Sequence, residues 1–371
     1  MHIAIEALSL GTRNSGIGVC TANLLTGLAQ LDCTDRLTVY VSDFEGALEI
    51  ARPASAELVT VPASSGNRLV RTAWRQLCLD RDMRRRDVDV LHGTAYVLPG
   101  NTPVPSVVTV HDLIALTHPQ LCPTWNAWHV RSLLPRTVRR ARRIVVHSRA
   151  TADGLMRMLS VPAGKIVVLR PGIADVFFKR VLKARRQSVA LRYSLPVRYV
   201  LFAGNLDPKK DIETLLSAFQ GLLRRGYPGK LVITGPTGWK DRTLRGKLAQ
   251  LKHSVCMTGY VQSEDMPALY AGADVAVLAS LVEGFGLPVV EAMAVGTPVV
   301  TSDVPGLVEA AGDAALKVKA GNAVGLTDAL GRIIDGKKLR NDLKKRGRKH
   351  AKGFRSSAYA QAHLELYHEL R

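Results

Sequence analysis

Short, almost unbroken runs of β-branched and aliphatic residues alternate along this chain with longer stretches in which apolar residues recur at helical spacing. In the first half the runs are HIAIEA from His2, LTVYVS from Leu37, VDVLH from Val88, SVVTVH from Ser106, RIVVHS from Arg143 and KIVVLR from Lys165. In the second half they are YVLFAG from Tyr199, KLVITG from Lys230, VCMTG from Val255, DVAVLAS from Asp274 and TPVVTS from Thr297. A strand with one wet face alternates polar and apolar residues; a strand covered on both faces has no need to. The runs therefore predict parallel strands buried between helices, and their alternation with helical segments predicts doubly wound α/β sheets. After RPGI at Arg170 to Ile173 comes a charged segment, KRVLKARRQSVALRYSLP, and then a fresh strand series. Two Rossmann-like domains joined by a linker are expected, residues 1–180 and 181–355. A last helix near 356–371, apolar at Tyr359, Ala362, Leu366 and Leu370, is expected to pack back on the first.

Bulk properties narrow the class. A chain of 371 residues, 47% hydrophobic, can bury two cores. The N-terminus has no basic leader, and no apolar run approaches the ~20 residues of a membrane span. A cytoplasmic protein is expected. The five cysteines are odd in number and none forms a CxxC pair, which argues against a disulfide framework and against a zinc site. The formal net charge of +20 gathers in RDMRRRD near Arg84, in RTVRRARR from Arg136 and in KKLRNDLKKRGRKHAK from Lys337. Such charge suits nucleic acid, an anionic membrane or phosphate-bearing substrates. Aromatic residues are only 5% and no recognised nucleic-acid module is present, so nucleic acid is not the expected partner. In TWNAWHVRSLLPRTVRRARR, Trp125, Trp128 and Leu133 stand among arginines, a pattern that fits an anionic membrane surface, with Pro135 expected to interrupt the helix.

In doubly wound sheets ligands bind beyond the carboxyl ends of the strands, so the residues just after each run carry the chemistry. Gly16 and Gly18 are expected to precede a helix starting near Val19, where backbone can approach an anion. The third glycine of a dinucleotide fingerprint is absent, since Thr21 fills that position, and Ser42 stands where an acidic residue would end the next strand. His111 and Asp112 follow another strand: they read either as a buried, hydrogen-bonded histidine and a capping aspartate, or as a histidine presented to a substrate. In LFAGNLDPKKDIETLLSAF, Gly204 ends a strand, Asp211 is placed to cap a helix, and Lys209 and Lys210 lie between them, where an ammonium could neutralise a phosphate.

The stretch EGFGLPVVEA, Glu283 to Ala292, has the strongest pattern. Pro288 suits the first helical position and Gly296 the end of that helix. This places Glu283 in the preceding loop and Glu291 in the first turn. Between them Gly284, Phe285, Gly286 and Leu287 offer amides at a helix N-terminus, a setting for a diphosphate. A carboxylate is a poor phosphate partner and a good partner for paired hydroxyls. A nucleotide sugar, with hydroxyl-bearing rings at both ends of a diphosphate, has the matching form.

EGFGLPVVEA resembles the E-x7-E motif of retaining GT-B glycosyltransferases, the large family four. The likeness extends through GIGVCTANLLTGLA, VHDL, RIVVHSRAT, IVVLRPGI, GNLDPKKDIETLLSAF, LVITGPTGW, TGYV, ALYAGADVAVLASLVEGFGLPVVEAMAVGTPVVTSDVPGLVEAAGDAAL and the closing helix. It implies the GT-B fold, two Rossmann-like domains facing a cleft, and transfer of a hexose from a nucleotide sugar with retention of configuration. By this resemblance Glu283 holds hexose hydroxyls, Glu291 the ribose hydroxyls, and the amides from Phe285 to Leu287 the hexose and diphosphate. Lys210 neutralises the leaving diphosphate and His111 contacts the sugar near its anomeric carbon. Gly16 and Gly18 allow close approach to the diphosphate, and Gly259, Tyr260 and Val261 hold the base. Many relatives have arginine at the position of Asn205; the neutral residue here leaves Lys210, helped by Lys209, as the main cation, and occurs in a branch with bacterial mannosyltransferases. The implied donor is GDP-mannose, with a UDP-sugar as alternative. No further cofactor and no metal are expected: the Asp-x-Asp pairs Asp80/Asp82 and Asp87/Asp89 precede a strand and read as solvated or capping acids. The implied acceptor is a glycan or a polyprenyl-diphosphate-linked saccharide of a bacterial surface polysaccharide, met at the inner face of the cytoplasmic membrane. A sugar phosphorylase or nucleotide-sugar epimerase of the same fold, and a basic nucleic-acid binder, are the competing readings.

Overall fold

The computed structural model describes residues 1–11, 16–31, 33–43, 51–64, 68–236 and 242–371. Part of the LVITGPTGW segment, residues 237–239, lies outside them. The chain divides into two compact units: Met1–Ala174 with Phe354–Arg371, and Asp175–Gly353.

Unit 1 holds seven strands: β1 (His2–Glu6), β2 (Arg36–Asp43), β3 (Ala56–Ser64), β4 (Val90–Gly93), β5 (Ser106–Val110), β6 (Arg143–Val146) and β7 (Ile166–Val168). They form one parallel sheet in the order β3-β2-β1-β4-β5-β6-β7. Unit 2 holds β8 (Tyr199–Ala203), β9 (Lys230–Thr234), β10 (Val255–Gly259), β11 (Val275–Leu278), β12 (Val299–Ser302) and β13 (Leu316–Val318), parallel in the order β10-β9-β8-β11-β12-β13. In each sheet the strand order reverses between the first strand and the fourth, which opens a crevice at the carboxyl edge beside β1/β4 and beside β8/β11. The central strands are buried along their whole length, as continuous apolar runs require: β1, β5, β8 and β11 expose no residue.

The apolar pattern did not reveal β3 or β13. Both are edge strands. The first mixes Glu57, Thr60 and Pro62 with its apolar residues, and the second has only three residues, with Lys317 exposed. An edge strand has one neighbour and partial cover, so it lacks the unbroken apolar signature. The charged segment expected to be a linker contains the helix Lys183–Arg192, which is part of unit 2. Arg185 and Arg192 donate to the fully buried carboxylate of Asp265 at 2.6 and 2.7 Å, and the Tyr193 hydroxyl donates to it at 3.0 Å. Pro135 does not interrupt its helix, which runs from Thr124 to Arg140.

The last helix, Ser356–His368, packs on the helix Gly16–Ala29 of unit 1. Tyr359, Ala360, Leu364 and Tyr367 join a core that includes Ile3, Ile5, Leu24, Leu28 and Val39. The approach is close because Gly27 has no side chain: a Cβ there would collide with the carbonyl of Ser356 and lie 2.8 Å from Ala360 Cβ. The hydroxyl of Tyr367 meets Nδ1 of the buried His92 at 2.7 Å, and His368 Nε2 meets Asp35 Oδ2 at 2.7 Å. Each bond satisfies a polar group that the packing takes from water.

Candidate active site

The lysine loop of unit 2 owes its shape to Asp211. β8 ends at Ala203, and after Gly204 and Asn205 the segment Pro208–Lys210 makes one 3-10 turn. Asp211 then adopts a left-handed conformation, φ 47°, and its carboxylate accepts the amide of Thr214 at 3.2 Å, capping the helix Ile212–Arg224. Aspartate is among the few residues that tolerate this conformation. The capping role expected of Asp211 is thus met, and the turn fixes Lys209 and Lys210 at the carboxyl edge of the sheet.

The second loop joins β11 to the helix Leu287–Val295 and holds Glu283. The Leu281 amide donates to the carbonyl of Lys209 at 2.8 Å, which ties the two loops together. Lys210 Nζ pairs with Glu283 Oε1, and the Ser280 hydroxyl donates to the same oxygen at 3.0 Å. Both side chains of the pair are largely buried, 12% and 8% exposed. Burial alone would raise the Glu283 carboxyl. The charges of Lys210 and Lys209 and the hydrogen bonds from Lys210 and Ser280 outweigh it and hold the group below the usual glutamate range. Glu283 is therefore a fixed carboxylate with a cation against it. Ser280 was missed in the sequence because a serine after a strand has no distinguishing pattern.

The chain then enters its helix through Gly286, φ 108°, with Gly296 closing it in the left-handed region, φ 93°. Pro288 stands in the first turn, as expected. A Cβ on Gly286 would strike Leu307 Cδ2, and one on Gly306 would strike the carbonyl of Glu283. Gly306, not singled out from the sequence, lets the helix Pro305–Ala311 lie directly against the loop that holds Glu283. Phe285 is 7% exposed, so its ring is buried. Glu291 lies beyond the first helical turn, not within it. The helix begins at Leu287, one residue earlier than the proline signal implies. Glu291 is 9% exposed and accepts the Tyr270 hydroxyl at 3.0 Å. Burial pushes its carboxyl up to about 7, the Tyr270 bond opposing only part of the effect. The two glutamates thus differ in kind: one is held ionised by lysine, the other is half-neutral at physiological pH. Sequence spacing does not carry this difference, because it depends on the burial of Glu291 and on the lysines that face Glu283, both set by the folded unit. On β10, Gly259 is followed by Tyr260, half exposed, and by the buried Val261.

In unit 1, Gly16 and Gly18 do not precede the helix but form its first turn, Gly16 exposed and Gly18 buried. Residues 12–15, which precede it in the chain, lie outside the described residues. His111 follows β5; its Nε2 donates to the carbonyl of Thr94 at 2.8 Å, and burial pushes it down to about 4, so it is a neutral imidazole with its lone pair on Nδ1. Asp112 accepts the Ile114 amide at 3.0 Å, as a local cap. Three of the Asp-x-Asp acids have partners in unit 1: Asp82 accepts from the Tyr40 hydroxyl at 2.9 Å and from Arg86 at 2.7 Å, Asp80 pairs with Arg84 at 3.2 Å, and Asp89 accepts the His2 amide at 2.7 Å.

Residues 14–175 match the family model described as Glycosyltransferase Family 4, and residues 189–350 the model described as Glycosyl transferases group 1. The chain is similar to O-antigen chain mannosyltransferase B of Escherichia coli, 34% identical over 233 residues, which are 61% of this chain and 60% of that protein. The match thus spans about three-fifths of that relative's length. Among solved structures, it superposes with a TM-score of 0.81 and 22% identity on sucrose-phosphate synthase from Thermosynechococcus elongatus, covering 100% of this chain and 98% of that one. It superposes with a TM-score of 0.76 and 17% identity on Anabaena HepE, solved in complex with UDP and glucose, covering all of both chains. At these identities the superpositions bear on fold alone. With glycosyltransferase family models matching most of both halves and two parallel Rossmann-like sheets in its structure, the chain belongs to the GT-B glycosyltransferases of the family-four type.

Proposed function

We propose that this chain is a retaining hexosyltransferase, independent of metal, that moves mannose from GDP-mannose to a glycan or polyprenyl-diphosphate-linked acceptor in the synthesis of a bacterial surface polysaccharide. The observation that carries the reading is the largely buried Lys210–Glu283 pair beside the head of the helix Leu287–Val295. As the glycosidic bond breaks, negative charge grows on the diphosphate. Lys210, with Lys209 near it, and the amides from Phe285 to Leu287 compensate that charge, the task a divalent cation performs in other transferases. Glu283, kept ionised, accepts hydroxyls of the hexose. Glu291 takes the ribose hydroxyls, and the backbone of Gly259, Tyr260 and Val261 takes the base. His111 contacts the sugar, and Gly16 and Gly18 the diphosphate. The mannose assignment is supported by the similarity to the E. coli O-antigen mannosyltransferase and by Asn205 in place of arginine.

The same reading brings the protein to the inner face of the cytoplasmic membrane as a peripheral enzyme. Among the described residues no helix is long and apolar enough to cross a membrane. Trp125 and Trp128 are 45% and 59% exposed, with ring centroids 5.2 Å apart, on a helix that also exposes Arg131, Arg136, Arg139 and Arg140. Indole rings and arginines on one helix suit an anionic headgroup layer.

A thermal-shift screen of nucleotide sugars, followed by product analysis, tests the proposal, because a ligand that binds only the native state raises its melting temperature. GDP-mannose should give the largest shift and the transferred mannose should keep its α configuration. Lys210→Ala and Glu283→Ala should each abolish transfer; full turnover in both variants would refute the site.

A further inference from the structure

We propose that Cys20, His111 and His147 of unit 1 form a binding site for one transition-metal dication of the zinc class. The three residues come from separate elements. Cys20 lies on the helix Gly16–Ala29, and His111 and His147 follow the neighbouring strands β5 and β6. One ligating atom from each lies within 4.8 Å of the others. Around a tetrahedral zinc ion, sulfur and imidazole nitrogens at about 2.3 and 2.0–2.1 Å from the metal stand roughly 3.4–3.6 Å apart. Closing the set requires side-chain shifts on the order of 1 Å, within the reach of small χ adjustments.

The protonation pattern is already that of a metal site. His147 is 3% exposed, and its Nδ1 donates to the carbonyl of Leu169 at 3.0 Å. Its Nε2 therefore carries the lone pair, and that atom is buried with no hydrogen-bond partner among the described residues. An unsatisfied buried acceptor is costly, and a cation would remove the cost. His111 is arranged the same way with its nitrogens exchanged: Nε2 donates to the carbonyl of Thr94, and Nδ1 is the donor atom left for a ligand. Metal-binding histidines commonly fix the second nitrogen on a backbone carbonyl in this manner. Cys20 is 6% exposed and supplies the soft anionic donor. Two imidazoles and a thiolate satisfy three of four tetrahedral positions. The fourth falls to water, with access past His111, which keeps part of its surface open. Cysteine spacing could not reveal the set, since its ligands are far apart in the chain. The metal has no part in the transfer reaction: it would engage His111. If His111 contacts the sugar as proposed above, metal and sugar compete for it, and zinc inhibits the enzyme.

Cobalt(II) titration of chelator-treated, full-length protein tests the site without donor or acceptor, so its outcome is separate from that of the transferase reading. One equivalent should bind, with strong visible bands of a four-coordinate ion and a near-ultraviolet thiolate charge-transfer band. Cys20→Ser should lose the charge-transfer band, and His147→Ala should weaken binding at least ~10-fold, whereas Cys78→Ser, a change at an exposed thiol, should leave both features intact. No stoichiometric binding, or a thiolate band that persists in Cys20→Ser, would overturn the proposal. Should the variants fold poorly by circular dichroism, the wild type decides: one equivalent of zinc must raise its melting temperature and displace the bound cobalt, and a melting temperature indifferent to zinc counts against the site.

Discussion

Replacing Glu291 by glutamine should stabilise the protein in a pH-dependent manner. The folded carboxyl titrates at about 7, against 4.5 for an ordinary glutamate. Between these values the folded state holds a proton that the unfolded chain has released, so stability falls as pH rises through that window. The penalty is nearly absent below pH 4.5 and complete above pH 7. A shift of this size is worth about 3 kcal/mol in full, of which about 2.5 kcal/mol appears between pH 5 and pH 8. Glutamine cannot ionise, and its amide oxygen can still accept the Tyr270 hydroxyl. Glu291→Gln should therefore lie within ~1 kcal/mol of the wild type at pH 5 and exceed it by about 3 kcal/mol at pH 8. For a unit of this size that corresponds to roughly 5–10 °C in Tm. Scanning calorimetry of both proteins across this range supplies the measurement. If the two Tm profiles run parallel from pH 5 to pH 8, Glu291 is ionised throughout in the folded state, and the reasoning from its burial fails.

The same carboxyl should report donor binding: if it receives ribose hydroxyls as an acceptor, nucleotide-sugar binding at pH 7 releases a fraction of a proton, measurable as a buffer-dependent enthalpy in titration calorimetry. Lys210→Ala and Glu283→Gln should each destabilise the protein by about 2–4 kcal/mol, because each removes a charge partner from a largely buried pair, and the double variant should cost less than the sum of the two, as urea unfolding can show. Gly286→Ala should lose about 2 kcal/mol or more, since the backbone is left-handed there and the new methyl meets the buried Leu307; far-UV melting checks it. Gly27→Ala should raise proteolytic cleavage within the last helix, because the methyl collides with the Ser356 carbonyl and forces that helix away.

Much of the fold is legible in the sequence because burial on both faces of a central strand demands continuous apolar runs, and β1, β5, β8 and β11 have them. The edge strands β3 and β13 are not legible, because partial cover permits Glu57 or Lys317. At the candidate site, the glycines and Pro288 state the turn and the helix start, so the loop from Glu283 to Leu287 could be placed in advance. What could not be read is the condition of each charge. Lys210 meets Glu283 from a segment remote in the chain and keeps that glutamate an anion, whereas burial within the folded unit, only partly opposed by the Tyr270 hydroxyl, leaves Glu291 poised to titrate. The Cys20, His111 and His147 cluster is hidden for the same reason.

The return of the final helix to unit 1 means that unit 2 is inserted within unit 1. Backbone groups of the two crossings meet at Ile173, whose amide donates to the Phe354 carbonyl at 2.8 Å and which forms a bridge with Arg355. During synthesis, all of unit 2 therefore leaves the ribosome before unit 1 has the helix that covers its apolar face around Leu24 and Leu28. The first half of the nascent chain must wait, exposed, until the helix Ser356–His368 has been made, and in that interval it is a natural client for a chaperone.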